Sequence, residues 1–465
     1  MSDASVTSSQ VSGAAPLTNA ERRQSRSWYR WYVLSVLLIA YVFNFIDRSI
    51  LAILTEPIKV SFGVSDTAMG VLGGPAFALF YTALGIPIAR LADIGVRRNV
   101  LAYSVAIWSF MTAVCGLATN YWQLLAARIG VAVGEAGGSP PSHSMISDLF
   151  PQNQRATALA IYALGIPGGS MIGAFAGGWI NQAFSWQTAF MVVGLPGVLL
   201  AVYIRFFIAE PRRGMSDGVL ARPAAAAPAA PVSIGSVFVH LWSKRSFRYL
   251  ALAAACQAFV GYGIGAWSNA FFVRVHHVQT GELGTWALWL GIPALLSTFM
   301  GGWLGDRMSG RDVRWYAWLP GIATVIALPF NLFVYMWHDH VTALLVSIIP
   351  GLLGSLWLAP TFSLTQGLAT LRMRAVAASV VLFILNILGL GLGPVITGGL
   401  SDVLNATTQL GIESLRWSLV IVSFIALLAA MFNVLCARHL KSDLASIEAL
   451  NTNSVLDENR AQETH

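Results

Sequence analysis

The chain has 465 residues, of which 56% are hydrophobic and 11% charged, with a mean hydropathy of +0.66. Ordinary soluble domains carry about 25% charged residues, so a cytosolic multidomain enzyme, a disordered protein and a coiled coil are excluded. The net charge of +7 does not call for nucleic acid, because excess Arg and Lys in a lipid-embedded chain mark cytoplasmic loops.

A membrane span needs about 20 apolar residues. In chain order, spans are predicted near 31–53, 67–90, 99–118, 121–147, 156–182, 187–208, 247–272, 283–305, 315–337, 341–366, 375–401 and 415–437. The runs are continuous rather than alternating, which predicts helices and not a β-barrel. A polar, Ser-rich tail (1–27) precedes them, with Arg22, Arg23 and Arg26 and no cleavable signal peptide in evidence. Cys115, Cys256 and Cys436 sit far apart in apolar runs, with neither metal-ligand spacing nor a disulfide framework.

Lys and Arg set the orientation. With the N-terminus inside, the outer side holds only Lys59, Arg274 and Arg416; Arg48 and Arg128 lie within spans, and all the others fall inside. Both termini are therefore expected in the cytoplasm. After Glu210-Pro211-Arg212-Arg213 comes a Pro/Ala-rich stretch, Ala221 to Pro231, which reads as a semi-rigid linker. Ile234, Val237, Phe238 and Leu241 then follow at helical spacing, predicting a short helix on the inner membrane face. The chain thus divides into a tail (1–27), a six-helix half (28–208), a linker with an interfacial helix (209–246), a second six-helix half (247–437) and a tail (438–465).

The halves resemble one another. Arg90-Leu91-Ala92-Asp93 followed by Arg97-Arg98 corresponds to Gly305-Asp306-Arg307 followed by Arg311, and Gln154-Arg155-Ala156 corresponds to Met373-Arg374-Ala375. Gly165-Ile166-Pro167 corresponds to Gly393-Pro394. An offset of about half the chain is the signature of parallel repeats in a transporter.

Ionisable residues inside spans are costly and mark function. Asp47 and Arg48 on the first helix, and Arg128 and Glu135 on the fourth, are the ones well inside. Arg128 and Glu135 are seven apart and share a helix face. Asp47 lies about 24 Å along its helix from inside, and Arg128 about 10 Å down from outside. The two come out at similar depth and are expected to pair, with Glu135 closer to the inner half. Asp47 and Glu135 are expected to carry coupling protons; mere neutralisation of charge is the plainer alternative. Arg48 and Arg128 are expected to pair with them and to meet an anionic head group.

Asp93, Arg97 and Arg98, with Asp306 and Arg307 as the weaker copy, are expected to form a conformational latch at the inner ends. For Arg97 and Arg98, simple retention of positive charge inside is the alternative. Asn44, His143, Gln257, Tyr262, Asn269 and Asn386 are candidates for lining the cavity, although Asn386 could equally hydrogen-bond between helices. His276, His277, His338 and His340 form no convincing metal set.

Two six-helix halves, the Asp93/Arg97/Arg98 loop and the Gly/Pro-rich fifth helix resemble the major facilitator superfamily over residues 28–437. Within it, Asn44-Phe45-Ile46-Asp47-Arg48, Gly134-Glu135-Ala136 through Asp148-Leu149-Phe150-Pro151, and Gly165-Ile166-Pro167-Gly168-Gly169 resemble the spinster-like branch. The Asp-Arg pair and Glu135 also resemble the organic anion:proton symporters. Ile94 stands where the superfamily loop usually has a basic residue, which thins that ion-pair network.

The resemblance implies an all-α membrane protein of twelve helices moving lysolipids or sphingoid phosphates by proton-linked alternating access. Uptake of a small organic or aromatic acid is the alternative. The expected partners are that substrate and membrane lipids, with the proton as coupling ion, no other cofactor, no metal, no nucleic acid, and a monomeric protein in the bacterial inner membrane. A membrane enzyme would need clustered His or carboxylates, a channel repeated polar rings, and an ATP-driven pump a nucleotide motif; the sequence offers none of these.

Overall fold

The structure, a computed structural model, describes residues 27–217, 233–370 and 373–463. The expected Pro/Ala linker at 221–231 and nearly all of the N-terminal tail lie outside the described residues. Twelve spans follow in order: α1 (Ser27–Phe62), α2 (Asp66–Ile94), α3 (Arg97–Cys115), α4 (Tyr121–Glu135, continuing as Ser139–Leu149), α5 (Gln152–Ala183), α6 (Trp186–Phe207), α7 (Arg245–His276), α8 (Thr280–Ser309), α9 (Trp315–Met336), α10 (His340–Gly367), α11 (Val376–Thr408) and α12 (Gly411–Leu450). Ten are long and apolar enough to cross a bilayer by themselves. The other two are α3, with 19 residues, and α4, broken where Gly137 and Gly138 meet Ser139-Pro140-Pro141.

Local sequence sets the helix ends. Gly63, at φ +64°, closes α1 by donating its N–H to the Lys59 carbonyl at 2.9 Å. The side-chain oxygens of Ser65, Asn120 and Ser185 accept from backbone N–H groups three residues on, starting α2, α4 and α6. Twelve spans put the start of α1 and the end of α12 on one face, here called proximal; the opposite face is distal. Between the halves, α1 packs on α7, α2 on α11 and α5 on α8.

Lipid offers helices no hydrophobic drive to associate, so close approach of small residues does the packing. Gly70 on α2 is a case in point. A Cβ there would lie 2.6 Å from the Pro394 carbonyl oxygen and from Val395 Cα on α11, both backbone atoms. Residues Leu385–Gly391 of α11 form a π-helix against α2 and α7, the kind of local irregularity that gathers at functional sites. Before α7, the helix Ile234–Ser243 buries Val237 and Leu241 against the second half, while Phe238 and Trp242 stack at 5.4 Å with both rings partly exposed.

The Gly70 contact is testable. Gly70→Ala is expected to push the distal ends of α2 and α11 apart, lengthening the spin-label distance between them. Gly73→Ala, whose Cβ would meet only a Leu51 methyl at 3.7 Å, is expected to leave it unchanged. Equal distances in the two variants would remove the steric argument.

Candidate functional site

Asp47 and Arg48 are neighbours on α1, so their side chains leave the helix about 100° apart. Asp47, 1% exposed, turns toward α3 and α4. Its Oδ2 accepts from Arg128 Nη1 at 2.9 Å, and its Oδ1 lies 2.6 Å from Thr112 Oγ1. The pair expected from equal depth therefore forms. Arg48 turns the other way and donates from Nε to Glu135 Oε2 at 2.7 Å. Glu135 is thus within reach of α1, although its estimated depth sets it nearer the inner half. Two arginines and two carboxylates make a charge-balanced set, three of whose members are almost fully buried. Removing any one partner would strand a buried charge, a large cost in a low-dielectric site.

The set is not fully satisfied. Glu135 Oε1 is buried without a hydrogen-bond partner, and Asp47 is among the groups acting on that carboxyl. The Arg48 side chain is 23% exposed. Its guanidinium lies 4.8–5.1 Å from the ring centres of Phe45, Phe77 and Tyr81, cation–π contacts that fix its position. Only Nε of Arg48 is engaged by a carboxylate, so the guanidinium keeps donors for a second acceptor.

Tyr262 on α7 brings a candidate of the second half within electrostatic reach of this set. It is 42% exposed and interacts electrostatically with Arg48. Asn44 is buried and lines a small cavity with Tyr41, Trp108, Ser139, Ser142 and Tyr162, in which the Tyr41 and Tyr162 rings stack at 4.3 Å. His143 is exposed and sits edge-on to Tyr162. Gln257 donates to Thr324 Oγ1 at 2.9 Å, tying α7 to α9. Asn269 is half-buried on α7, and Asn386 is half-buried inside the π-helical turn of α11.

At the proximal face, the expected latch residues bind their own half. Arg97 pairs with Asp148 at the end of α4 and donates from Nε to Glu210 Oε1 at 2.8 Å. Arg98 donates its backbone N–H to Glu210 Oε2 at 2.8 Å and its Nη1 to the Ile208 carbonyl at 3.1 Å. These bonds fasten the α2–α3 loop to α4 and to the chain after α6. Asp93 is exposed. In the second half, Asp306 accepts from the Tyr316 hydroxyl at 2.7 Å, and Arg307 lies over the Trp303 ring. The fastening there runs through Asp312, which accepts from Arg314 and from Lys441 of α12. The Arg314 hydrogen bonds hold the Asp312 carboxyl well below the usual carboxylate range.

At the distal face the halves are locked together by residues that sequence reasoning did not select. Arg274, at the end of α7, donates to both Asp66 oxygens at 2.7 and 2.8 Å and to Glu56 at 2.7 Å. Asp66 is 2% exposed and also accepts from Lys59 at 2.6 Å and Ser401 at 2.7 Å. Asp402 on α11 caps the start of α2 from the other half, accepting from the N–H groups of Asp66 and Thr67 at 3.0 and 2.7 Å. Beside this cluster, α5 meets α8: Asn181 donates to Thr280 Oγ1 at 3.0 Å and Trp179 to Thr285 Oγ1 at 3.0 Å. One signal was available. Lys59 and Arg274 are two of the three cations on the charge-poor side, and each needed an acid.

Comparison with known proteins agrees with this architecture. Residues 37–394 match the family model of the Major Facilitator Superfamily, and the chain belongs to that family of membrane transporters. It is 31% identical over 419 residues to an MFS-type efflux pump of Mycolicibacterium smegmatis, covering 89% of this chain and 94% of that one. It also superposes, with a TM-score of 0.80 and 32% identity, on the crystal structure of a bacterial homolog of the human lysosomal transporter spinster in an inward-facing, unoccupied conformation. That match covers 90% of this chain and 99% of the homolog. The sphingosine-1-phosphate transporter SPNS2 of Danio rerio is 29% identical over 251 residues, 52% of this chain and 48% of its own length. The transporter is thus related to the spinster type.

Arg274→Ala is expected to weaken the distal closure by about 2 kcal/mol, the scale of a hydrogen bond to a charged group, or roughly 30-fold in the closed-to-open ratio. Lys59 still neutralises Asp66, so the fold should persist. Spin-label distances between the distal ends of α1 and α7 measure the shift; a distribution like the wild type would show that the cluster does not hold the halves together.

Proposed function

We propose that this protein is a proton-coupled secondary transporter that carries an anionic amphiphile, of lysolipid or sphingoid-phosphate type, across the inner membrane. The observation that carries this reading is the buried Asp47–Arg128 and Arg48–Glu135 set, with one carboxyl oxygen unpartnered and one guanidinium partly exposed between the halves.

On this reading the termini and linker are cytoplasmic, as the positive-inside bias favours. The distal face is then external, and the joined distal ends correspond to an inward-facing state. The anionic head would take the free donors of Arg48, near Tyr81 and Tyr262. The apolar part would lie against the second half, whose spans carry few charges. Occupation of Arg48 by an anion draws its charge away from Glu135. A proton arriving at Glu135 Oε1 restores neutrality and gives that oxygen a hydrogen to donate. The two events are thereby linked, and a site that favours the proton in one conformation and not in the other converts a proton gradient into movement. The Asp93/Asp306 residues would serve when the inner ends close. The protein would work as a monomer, with no cofactor beyond the proton.

The test is flux in reconstituted vesicles under an imposed pH gradient, using a fluorescent lysophospholipid and, separately, benzoate. Wild-type protein is expected to move the lysophospholipid. The double variant Asp47→Asn/Glu135→Gln, neutral at both carboxyls, is expected to lose gradient-driven flux to background. Gradient-driven flux retained by the double variant would overturn the proton assignment. Movement of benzoate alone would reassign the substrate to small organic acids.

A further inference from the structure

Thr112, on α3, is 1% exposed, and its hydroxyl lies between two acceptors. Oγ1 is 2.6 Å from Asp47 Oδ1 and 2.8 Å from the Trp108 carbonyl one turn back on its own helix. A hydroxyl has one hydrogen and can also accept. The carbonyl can only accept, and so can an ionised carboxylate. Both contacts can be hydrogen bonds at once only if Asp47 carries the hydrogen between them. With Asp47 ionised, the Thr112 hydrogen points to the carboxylate. With Asp47 protonated at Oδ1, that acid donates to Thr112 Oγ1, and the Thr112 hydrogen turns to the Trp108 carbonyl.

We infer that Thr112 is a positioning residue for the proton site: its hydroxyl rotates so that Asp47 keeps a hydrogen bond in both protonation states. The inference rests on the proton-coupling reading above. The proton comes from water and lands on Asp47 Oδ1; no other bond is made or broken, and no heavy atom need move. The other charged or titratable groups around Asp47 are Arg128 and Glu135 from α4, the buried Cys115 thiol from α3 and, beyond Glu135, Arg48 with Tyr81. Glu135 lies close enough to Asp47 to share a proton with that carboxyl, but Arg128 cannot take part in the exchange at Oδ1. Arg128 donates to Oδ2 and has no lone pair to accept an acid hydrogen.

The isosteric change Thr112→Val removes both roles. The carboxylate then loses a charge-assisted bond and the acid only a neutral one, and the former is roughly twice as strong. The pH midpoint of the opening and closing motion, read by spin-label distances across the distal face, is expected to rise by about one unit, a tenfold change. Thr112→Ser keeps the hydroxyl and should restore the wild-type midpoint. Thr112→Ala compared with Thr112→Ser gives the same reading if the valine does not fit. Asp47→Asn, measured alongside, should lose the response governed by this carboxyl. If Asp47→Asn flattens the response while Thr112→Val and Thr112→Ala titrate as the wild type does, the Thr112 inference is wrong and the coupling reading stands. If the wild-type response survives Asp47→Asn, Asp47 takes no part in it and the Thr112 inference falls, whereas the coupling reading fails only if the response also survives in the Asp47→Asn/Glu135→Gln protein.

Discussion

Charge balance in a low-dielectric core is the constraint on which the rest of this structure depends. Two arginines and two carboxylates meet between α1 and α4. Buried charges of this kind persist only when each is countered by its opposite. Arg128 and Asp47 are enclosed on all sides, whereas the Arg48 side chain is partly exposed and makes one carboxylate contact. The set therefore has a closed end and an open end. The open end is where a foreign anion can enter the balance, and any change there must be answered at Glu135.

The framework around this set keeps each half rigid while letting the interface change. Arg97, Asp148 and Glu210 fasten the proximal loops of the first half, and Asp312, Arg314 and Lys441 those of the second. The two halves solve the same problem with opposite central charges: a cation between acids in one, an acid between cations in the other. The distal bonds, by contrast, run between the halves. Arg274, Asp66 and Asp402 join α7, α2 and α11, and these bonds must break for the distal face to open. The π-helical turn of α11, beside Tyr262 and α2, lies where such a motion would bend the second half.

Much of this was legible in the sequence. Twelve apolar runs, the Arg/Lys asymmetry and the internal repeat indicate the fold because a bilayer leaves so few ways to bury a backbone. Asp47 and Arg128 could be paired from helix geometry alone, since a rise of about 1.5 Å per residue converts position into depth. Arg48 was expected in an ion pair, but that Glu135 is its partner was not reached, because depth along a helix does not say how far a long side chain extends sideways. The distal cluster was missed for another reason. Glu56, Asp66 and Asp402 fall just outside the apolar runs predicted to span, where acidic residues are unremarkable, and Arg274 reaches the first two from more than 200 residues away. Arg97 and Arg98 carried a motif that fits a latch or an anchor equally well; Asp148 and Glu210 engage them within one half.

The central claim is that a carboxyl of the buried set takes up and releases a proton as the halves move. Infrared difference spectroscopy in the carboxylic-acid carbonyl region, recorded between acidic and alkaline protein, tests it most directly. A protonated-carboxyl band is expected that disappears over the same pH range as the distance change and is absent from the Asp47→Asn/Glu135→Gln protein. A wild-type protein whose halves move with pH while no such band changes would contradict it.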